Sequence, residues 1–135
     1  MRFDDAKMCV LLDRLDLFSR KPDVLEKYEE YLRATRRNGI DVRDVIAKKM
    51  GGHRIAWMKN EYPYDVDDAT HYLIWSTDPL DDGKIDEIIS RHIGGREVVR
   101  FVNPENLKSV QDLWHCHVLI STNNNINGEI RDYIV

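Results

Sequence analysis

The segment Trp114-His115-Cys116-His117-Val118-Leu119-Ile120 decides the fold and points to the site. It is an apolar run with no helical period, and it reads as a buried strand from Leu113 to Ile120. Successive side chains of a strand alternate between faces. Trp114, Cys116, Val118 and Ile120 therefore form one unbroken core stripe, while His115 and His117 fall together on the opposite face. The sequence supplies no packing role for two adjacent imidazoles, so this strand is the first candidate for chemistry.

Working outward, Thr70 to Ser76 and Glu97 to Val102 read as two further strands of the same antiparallel sheet. Asp78-Pro79 and Asp81-Asp82-Gly83 separate them from an amphipathic helix over Lys84 to Ile93. That helix carries Ile85, Ile88 and Ile89 inward and stops at Gly94-Gly95. It is expected to cover the face bearing Trp114. Asn103-Pro104 opens a loop, Asn123-Asn124-Asn125 marks a turn, and the last residues suit a short edge strand. Arg54 to Lys59 fits strand or helix equally. Tyr62-Pro63-Tyr64 cannot continue a regular element, because Pro63 lacks an N–H and restricts Tyr62.

The first third reads as helical. Ala6 to Leu15 has roughly helical apolar spacing. A stronger helix opens at Pro22, places Val24, Leu25, Tyr28, Tyr31, Leu32 and Thr35 on one face, and stops at Asn38-Gly39. Asp41 caps a third helix through Lys49, ended by Gly51-Gly52. The expectation is a single α+β domain over residues 1–135. A helical layer occupies 1–52, and an antiparallel sheet with one crossover helix occupies 53–135.

Composition narrows the function. The 135 residues are 42% apolar and 33% charged, ordinary for a globular domain with a proper core. A net charge of -4 argues against nucleic acid as the main partner. Arg33, Arg36 and Arg37 lie near a helix end and read as a solvated face. Cys9 and Cys116 offer neither a disulfide scaffold nor a four-thiolate zinc site, so a reducing, cytoplasmic compartment is expected. The charged start Met1-Arg2-Phe3-Asp4-Asp5 and the lack of any run of membrane-spanning length predict neither secretion nor a membrane. Asp65, Asp67 and Asp68 lack the glycine and distal glutamate of a calcium loop.

His115, His117 and, on a second strand, His71 are the candidate site residues. They admit a bland reading as hydrogen-bonded polar residues on the second sheet face. They also admit two chemistries. In one, His115 is a nucleophile or acid-base group with its other nitrogen oriented by a neighbour. In the other, His71, His115 and His117 are neutral ligands for a divalent metal such as zinc. Cys116 points into the core, and His53 and His92 sit near helix ends. Trp57, Tyr62, Tyr64 and Trp75 are mostly core, and one or two of these rings can wall a pocket for a base or sugar.

The strand Thr70-His71-Tyr72-Leu73-Ile74-Trp75, the helix after Pro79, a strand ending at Asn103, Ser109-Val110 and His115-Cys116-His117-Val118-Leu119 resemble histidine-triad nucleotide-binding proteins. The resemblance implies that His115 is the central histidine, which attacks an α-phosphate, and His117 the last. It implies that Asn103 and Ser109 support the phosphate and the catalytic histidine, that no cofactor is needed, and that the chain is a homodimer. Leu113 stands where that family has its first histidine, and Pro104 to Lys108 contains no glycine. Tyr62-Pro63-Tyr64, His71, Trp75, Asn103-Pro104, Ser109 and the His115-x-His117-Val118-Leu119 end are also similar to the uncharacterised DUF3605 family. That family is known from fungi and large DNA viruses and includes the N-acetylglucosamine-induced protein 1 group.

Together these readings predict a divergent histidine-triad-like protein that binds the phosphate of a nucleotide or sugar nucleotide. Hydrolysis or transfer would run through His115, with His71, Asn103 and Ser109 at the phosphate. The competing expectation is a noncatalytic interaction protein that presents Tyr28, Tyr31 and Arg36. A metal-dependent hydrolase is the third.

Overall fold

The computed structural model describes residues 1–104 and 113–123 and the backbone of Tyr133–Ile134. Helices α1 (Phe3–Leu11), α2 (Pro22–Arg37) and α3 (Val42–Met50) come first, with a short 3-10 turn at Leu15–Leu17. Strands β1 (Ile55–Lys59) and β2 (Ala69–Ser76), helix α4 (Asp82–Ile93), and strands β3 (Val98–Phe101), β4 (Trp114–Ser121) and β5 (Tyr133–Ile134) follow. The strands form one antiparallel sheet in the order β3-β4-β2-β1-β5. This is the expected α+β class, with the three predicted strands neighbours in one sheet.

Local chemistry sets the boundaries. Pro22 opens α2 in its first turn, where a missing N–H costs nothing. The Asp41 carboxylate accepts from the Arg43 N–H, and Asp81 does the same for Lys84 at the start of α4. Gly51 and Gly94 end α3 and α4 with φ of 62° and 55°, a left-handed conformation that costs glycine no steric strain. The ambiguous Arg54 to Lys59 segment resolves as a strand, because Trp57 faces one core and Ala56 and Met58 the other.

One helix lies elsewhere than expected. The apolar spacing predicts a helix over Ala6 to Leu15, but α1 ends at Leu11, and Leu11 and Leu12 are 76% and 62% exposed. The residues that anchor α1 are Phe3 and Ala6, both sealed from water.

The sheet is covered on both faces. On one, α4 sets Ile85, Ile88 and Ile89 against Trp57, Tyr72, Ile74, Cys116, Val118 and Ile120, as the stripe predicts. Arg100 ties β3 to α4 through Asp86 at 3.0 Å and Asp82 at 3.3 Å. The other face carries the histidines and is a second core. Phe3 and Ala6 of α1 pack there with Phe101 and Leu119, and Met50 of α3 packs with Ala56, Leu73, Trp75 and Leu113. The N-terminal helices are thus the roof over the histidine face. At the N-terminus, Asp68 accepts from the Phe3 N–H and the Asn123 amide and pairs with Arg2 at 3.2 Å, which gives this member of the acidic cluster a structural role. Among the described residues, no helix is long and apolar enough to cross a membrane.

Candidate functional site

Register brings the histidines together. On β4, His115 lies opposite Trp75 and His117 opposite Leu73, while His71 on β2 lies opposite Leu119, the next residue on the same face. His71 is therefore the diagonal neighbour of His117, a spacing within reach of two rings. On the other side His117 meets Phe101 of β3. The Phe101 and His117 rings stack at 4.9 Å, Tyr64 stacks on His117 at 5.3 Å, and Trp75 tilts over His115 at 4.5 Å. Against expectation, the imidazoles do have a packing role: they are part of an aromatic core, each no more than 4% exposed.

A fixed donor sets the protons. The backbone N–H of Tyr64 points at His71 Nδ1 from 3.1 Å, so that nitrogen accepts and Nε2 of the neutral ring carries the hydrogen. His71 Nε2 lies 2.8 Å from His117 Nδ1, which must then accept, leaving the His117 proton on Nε2. The amide of Asn103 meets His117 Nε2 at 3.1 Å and the Tyr64 hydroxyl at 3.0 Å. An amide nitrogen facing the His117 Nε2–H would set donor against donor, whereas an oxygen accepts from it and from the Tyr64 hydroxyl. The amide therefore presents its oxygen to both groups, rotated by half a turn from the nitrogen-facing placement. The result is a closed chain from the Tyr64 N–H through His71 and His117 to Asn103.

Electrostatics agrees. Burial pushes His71 down to about 3, and the Arg20 charge and His115 add to the effect. His117 is likewise held well below the usual histidine range, first by burial and then by His71, His115 and Arg20. Both rings are neutral near pH 7. Burial pushes the Cys116 thiol up to about 12, so this cysteine is an inert member of the α4 core.

His115 stands apart from this chain. Its ring is edge-on to His117 at 5.3 Å, and its Nδ1–H donates to the Leu113 carbonyl at 3.2 Å. In the neutral ring the lone pair then lies on Nε2, the arrangement of an oriented imidazole nucleophile. His115 and His117 both line a cavity of about 900 Å³ between the sheet and α2–α3. Its walls include Leu73, Trp75, Met58, Val42, Val45 and Ile46, the rings of Tyr28, Tyr31 and Tyr62, and the polar groups of Arg20, Lys49 and Asn60.

The predicted residues thus divide. His71, Asn103 and His117 converge, and His115 adjoins them, but His71 and Asn103 sit behind His117 rather than at the cavity. His71 and His117 bond to each other directly, rather than through the shared metal of the zinc alternative. With the Tyr64 N–H on His71 Nδ1 and Asn103 on His117 Nε2, both nitrogens of His71 and of His117 are engaged, so two of the three ligands of the His71, His115 and His117 zinc alternative are already bonded elsewhere. Among the described residues, no three His, Cys, Asp or Glu side chains are placed to hold a metal. Ser109 lies outside the described residues. Tyr28 and Tyr31, expected on an exposed docking face, instead meet Tyr62 in the cavity wall, Tyr28 tilted against it at 5.0 Å and Tyr31 stacked on it at 5.8 Å.

Sequence reading missed Arg20 and Asn60. Arg20 lies in a polar stretch before Pro22, and Asn60 follows β1 at the Tyr62 turn, where no periodicity marks either residue as inward-facing.

No protein-family model and no curated protein matches the sequence. The chain is similar in structure to the crystal structure of HTC1, with a TM-score of 0.70 and 20% identity, over 89% of this chain and 84% of that one. This likeness establishes a shared α+β fold.

Proposed function

We propose that the chain is a divergent histidine-triad-like protein, of the same group as the DUF3605 family, that binds a nucleotide or sugar nucleotide in the cavity and acts on its phosphate through His115. The observation that carries this reading is the position of His115: its Nδ1–H is bound to a carbonyl, and its ring lines a cavity large enough for such a ligand. Attack by Nε2 would form an N–P bond and expel the group beyond phosphorus. Water or another acceptor would then take the phosphoryl group and restore the ring. His117, with both nitrogens engaged, would position rather than react. The apolar and aromatic walls suit a base or sugar, and no metal is required by this route.

A panel of nucleotides and sugar nucleotides, titrated calorimetrically and assayed for turnover with the native chain and His115→Ala, tests the reading. Native binding below millimolar concentration, with turnover lost on His115→Ala, is expected. Absence of both binding and turnover at millimolar ligand overturns it.

A second reading is supported by Leu113, which occupies the first-histidine position and is buried in the core beside Trp75. Under it the cavity binds the same ligands without turning them over. Binding that survives His115→Ala, with no turnover in the native chain, selects this version.

A further inference from the structure

Arg20 lies between the 3-10 turn and α2, half-buried in the cavity wall. Its Nε donates to the Tyr62 carbonyl at 2.8 Å, and its guanidinium carbon sits 4.3 Å from the Tyr28 ring centre and 5.1 Å from that of Tyr64. These contacts fix the plane of the fork through one donor and two ring faces. Its remaining N–H groups have no protein partner among the described residues.

The lack of a counter-ion among the described residues does not reflect a shortage of acids. The chain has 24 Asp and Glu against 20 Lys and Arg. Next in sequence, Lys21 reaches Asp65 at 4.0 Å, and Lys49, on the same cavity, reaches Glu61 at 3.4 Å. A guanidinium taken partly out of water is ordinarily paired, because an unpaired one loses hydration without return. Here it is held rigid and left open toward a cavity. Its charge also reaches the histidines, where it helps hold His71 and His117 neutral.

We infer that Arg20 is the anion anchor of the cavity, and that its free N–H groups take the phosphoryl oxygens of the ligand beside His115. The tyrosine faces of Tyr28, Tyr31 and Tyr62 take the ring attached to that phosphate. A planar fork suits two phosphoryl oxygens at once, which a lysine at the same place cannot match. This inference rests on the nucleotide reading of the cavity, and it adds a residue outside the strands that carry the histidines.

The test compares native chain, Arg20→Met and Arg20→Lys in calorimetric titrations with AMP and UMP, their nucleosides adenosine and uridine, and inorganic pyrophosphate. Methionine keeps a stem over Tyr28 and removes the charge. Circular dichroism melts identify folded variants, and Arg20→Lys serves if Arg20→Met does not fold. The expected result is a loss on the order of 10- to 100-fold for AMP or UMP in Arg20→Met, partial recovery in Arg20→Lys, and no change for the nucleosides. Nucleotide binding that ignores Arg20 overturns the inference and leaves the nucleotide reading standing. Arg20-dependent binding of pyrophosphate without any binding of AMP or UMP sustains the anchor and overturns the nucleotide reading. No binding of any probe to the native chain overturns both.

Discussion

His71 Nε2 lies 2.8 Å from His117 Nδ1, so the two imidazoles are bonded to each other rather than to a shared third atom. Each can take a second proton only by breaking this chain. Protonating His71 at Nδ1 would point N–H at the Tyr64 N–H, and protonating His117 at Nδ1 would oppose the His71 proton. The pair is therefore locked neutral by geometry as well as by burial.

Acid sensitivity follows from that lock. The folded-state value of His71 is lowered to about 3 from 6.5, and that of His117 is lowered also. Between those limits the unfolded chain binds more protons than the folded one, so stability rises with pH and is lost as pH falls from 6.5 toward 3. Each such histidine contributes a slope of about 1.4 kcal/mol per pH unit inside its window. Urea melts at closely spaced pH should show a shallower slope in His71→Gln than in the native chain. Equal slopes in the two proteins over pH 4 to 6 would refute the locked pair.

The orientation of the Asn103 amide has its own consequence. If its oxygen meets the His117 Nε2–H and the Tyr64 hydroxyl, Asn103→Asp replaces one acceptor by another and keeps both hydrogen bonds. Asn103→Leu instead leaves buried donors unsatisfied, at a cost of about 1–3 kcal/mol. Thermal melts should place Asn103→Asp between native and Asn103→Leu at neutral pH, because the carboxylate keeps both acceptors but loses hydration on burial. The added carboxylate should also raise the His117 value, visible in side-chain 15N shifts. Asn103→Asp as damaging as Asn103→Leu would mean that the amide nitrogen faces His117.

The period of two in Trp114, Cys116, Val118 and Ile120 was enough to predict β4, its core face and the helix that covers it, because alternation and apolarity coincide there. The second core was not legible for the opposite reason. On that face the buried side chains include His71, His115 and His117, which a hydrophobic pattern counts as polar. Nor does amphipathicity say which surface a helix meets. Tyr28 and Tyr31 read as one face of α2, but only the fold shows that this face closes on Tyr62 and the cavity. Arg20 carried no signal, since its role depends on residues brought to it from α2 and from the Tyr62-Pro63-Tyr64 turn.

Burial and charge on the α4 face should separate cleanly by magnitude. Ile88 is fully buried between α4 and the sheet, and Ile88→Ala removes methylene groups that the surrounding core cannot refill. A loss of about 2–5 kcal/mol is expected. Arg100 bonds Asp82 and Asp86, whose side chains are 88% and 67% exposed, so Arg100→Ala should cost about 1 kcal/mol or less in moderate salt. Chemical denaturation of both variants checks the ranking, and a larger loss for Arg100→Ala than for Ile88→Ala would reverse the account of what holds α4.

The placement of His115 depends on Trp75, its cross-strand partner. The two rings lie 4.5 Å apart, tilted by 36°, and Trp75 is 6% exposed beside Leu73 and Met50. Trp75→Ala would open a large cavity at a cost of about 3–5 kcal/mol and free the His115 ring to turn. Trp75→Phe keeps an aromatic face with less volume, so the chain should fold and the ring should still be held, less tightly. If His115 reacts as proposed, Trp75→Phe should lower kcat more than it raises KM, because it loosens the nucleophile while leaving Arg20 and the tyrosine wall in place. The side-chain 13C shifts of His115 should move in the same variant through the altered ring current, while those of His71 stay put. Unmoved His115 shifts in a folded Trp75→Phe would show that Trp75 is a core residue without a part in positioning the ring.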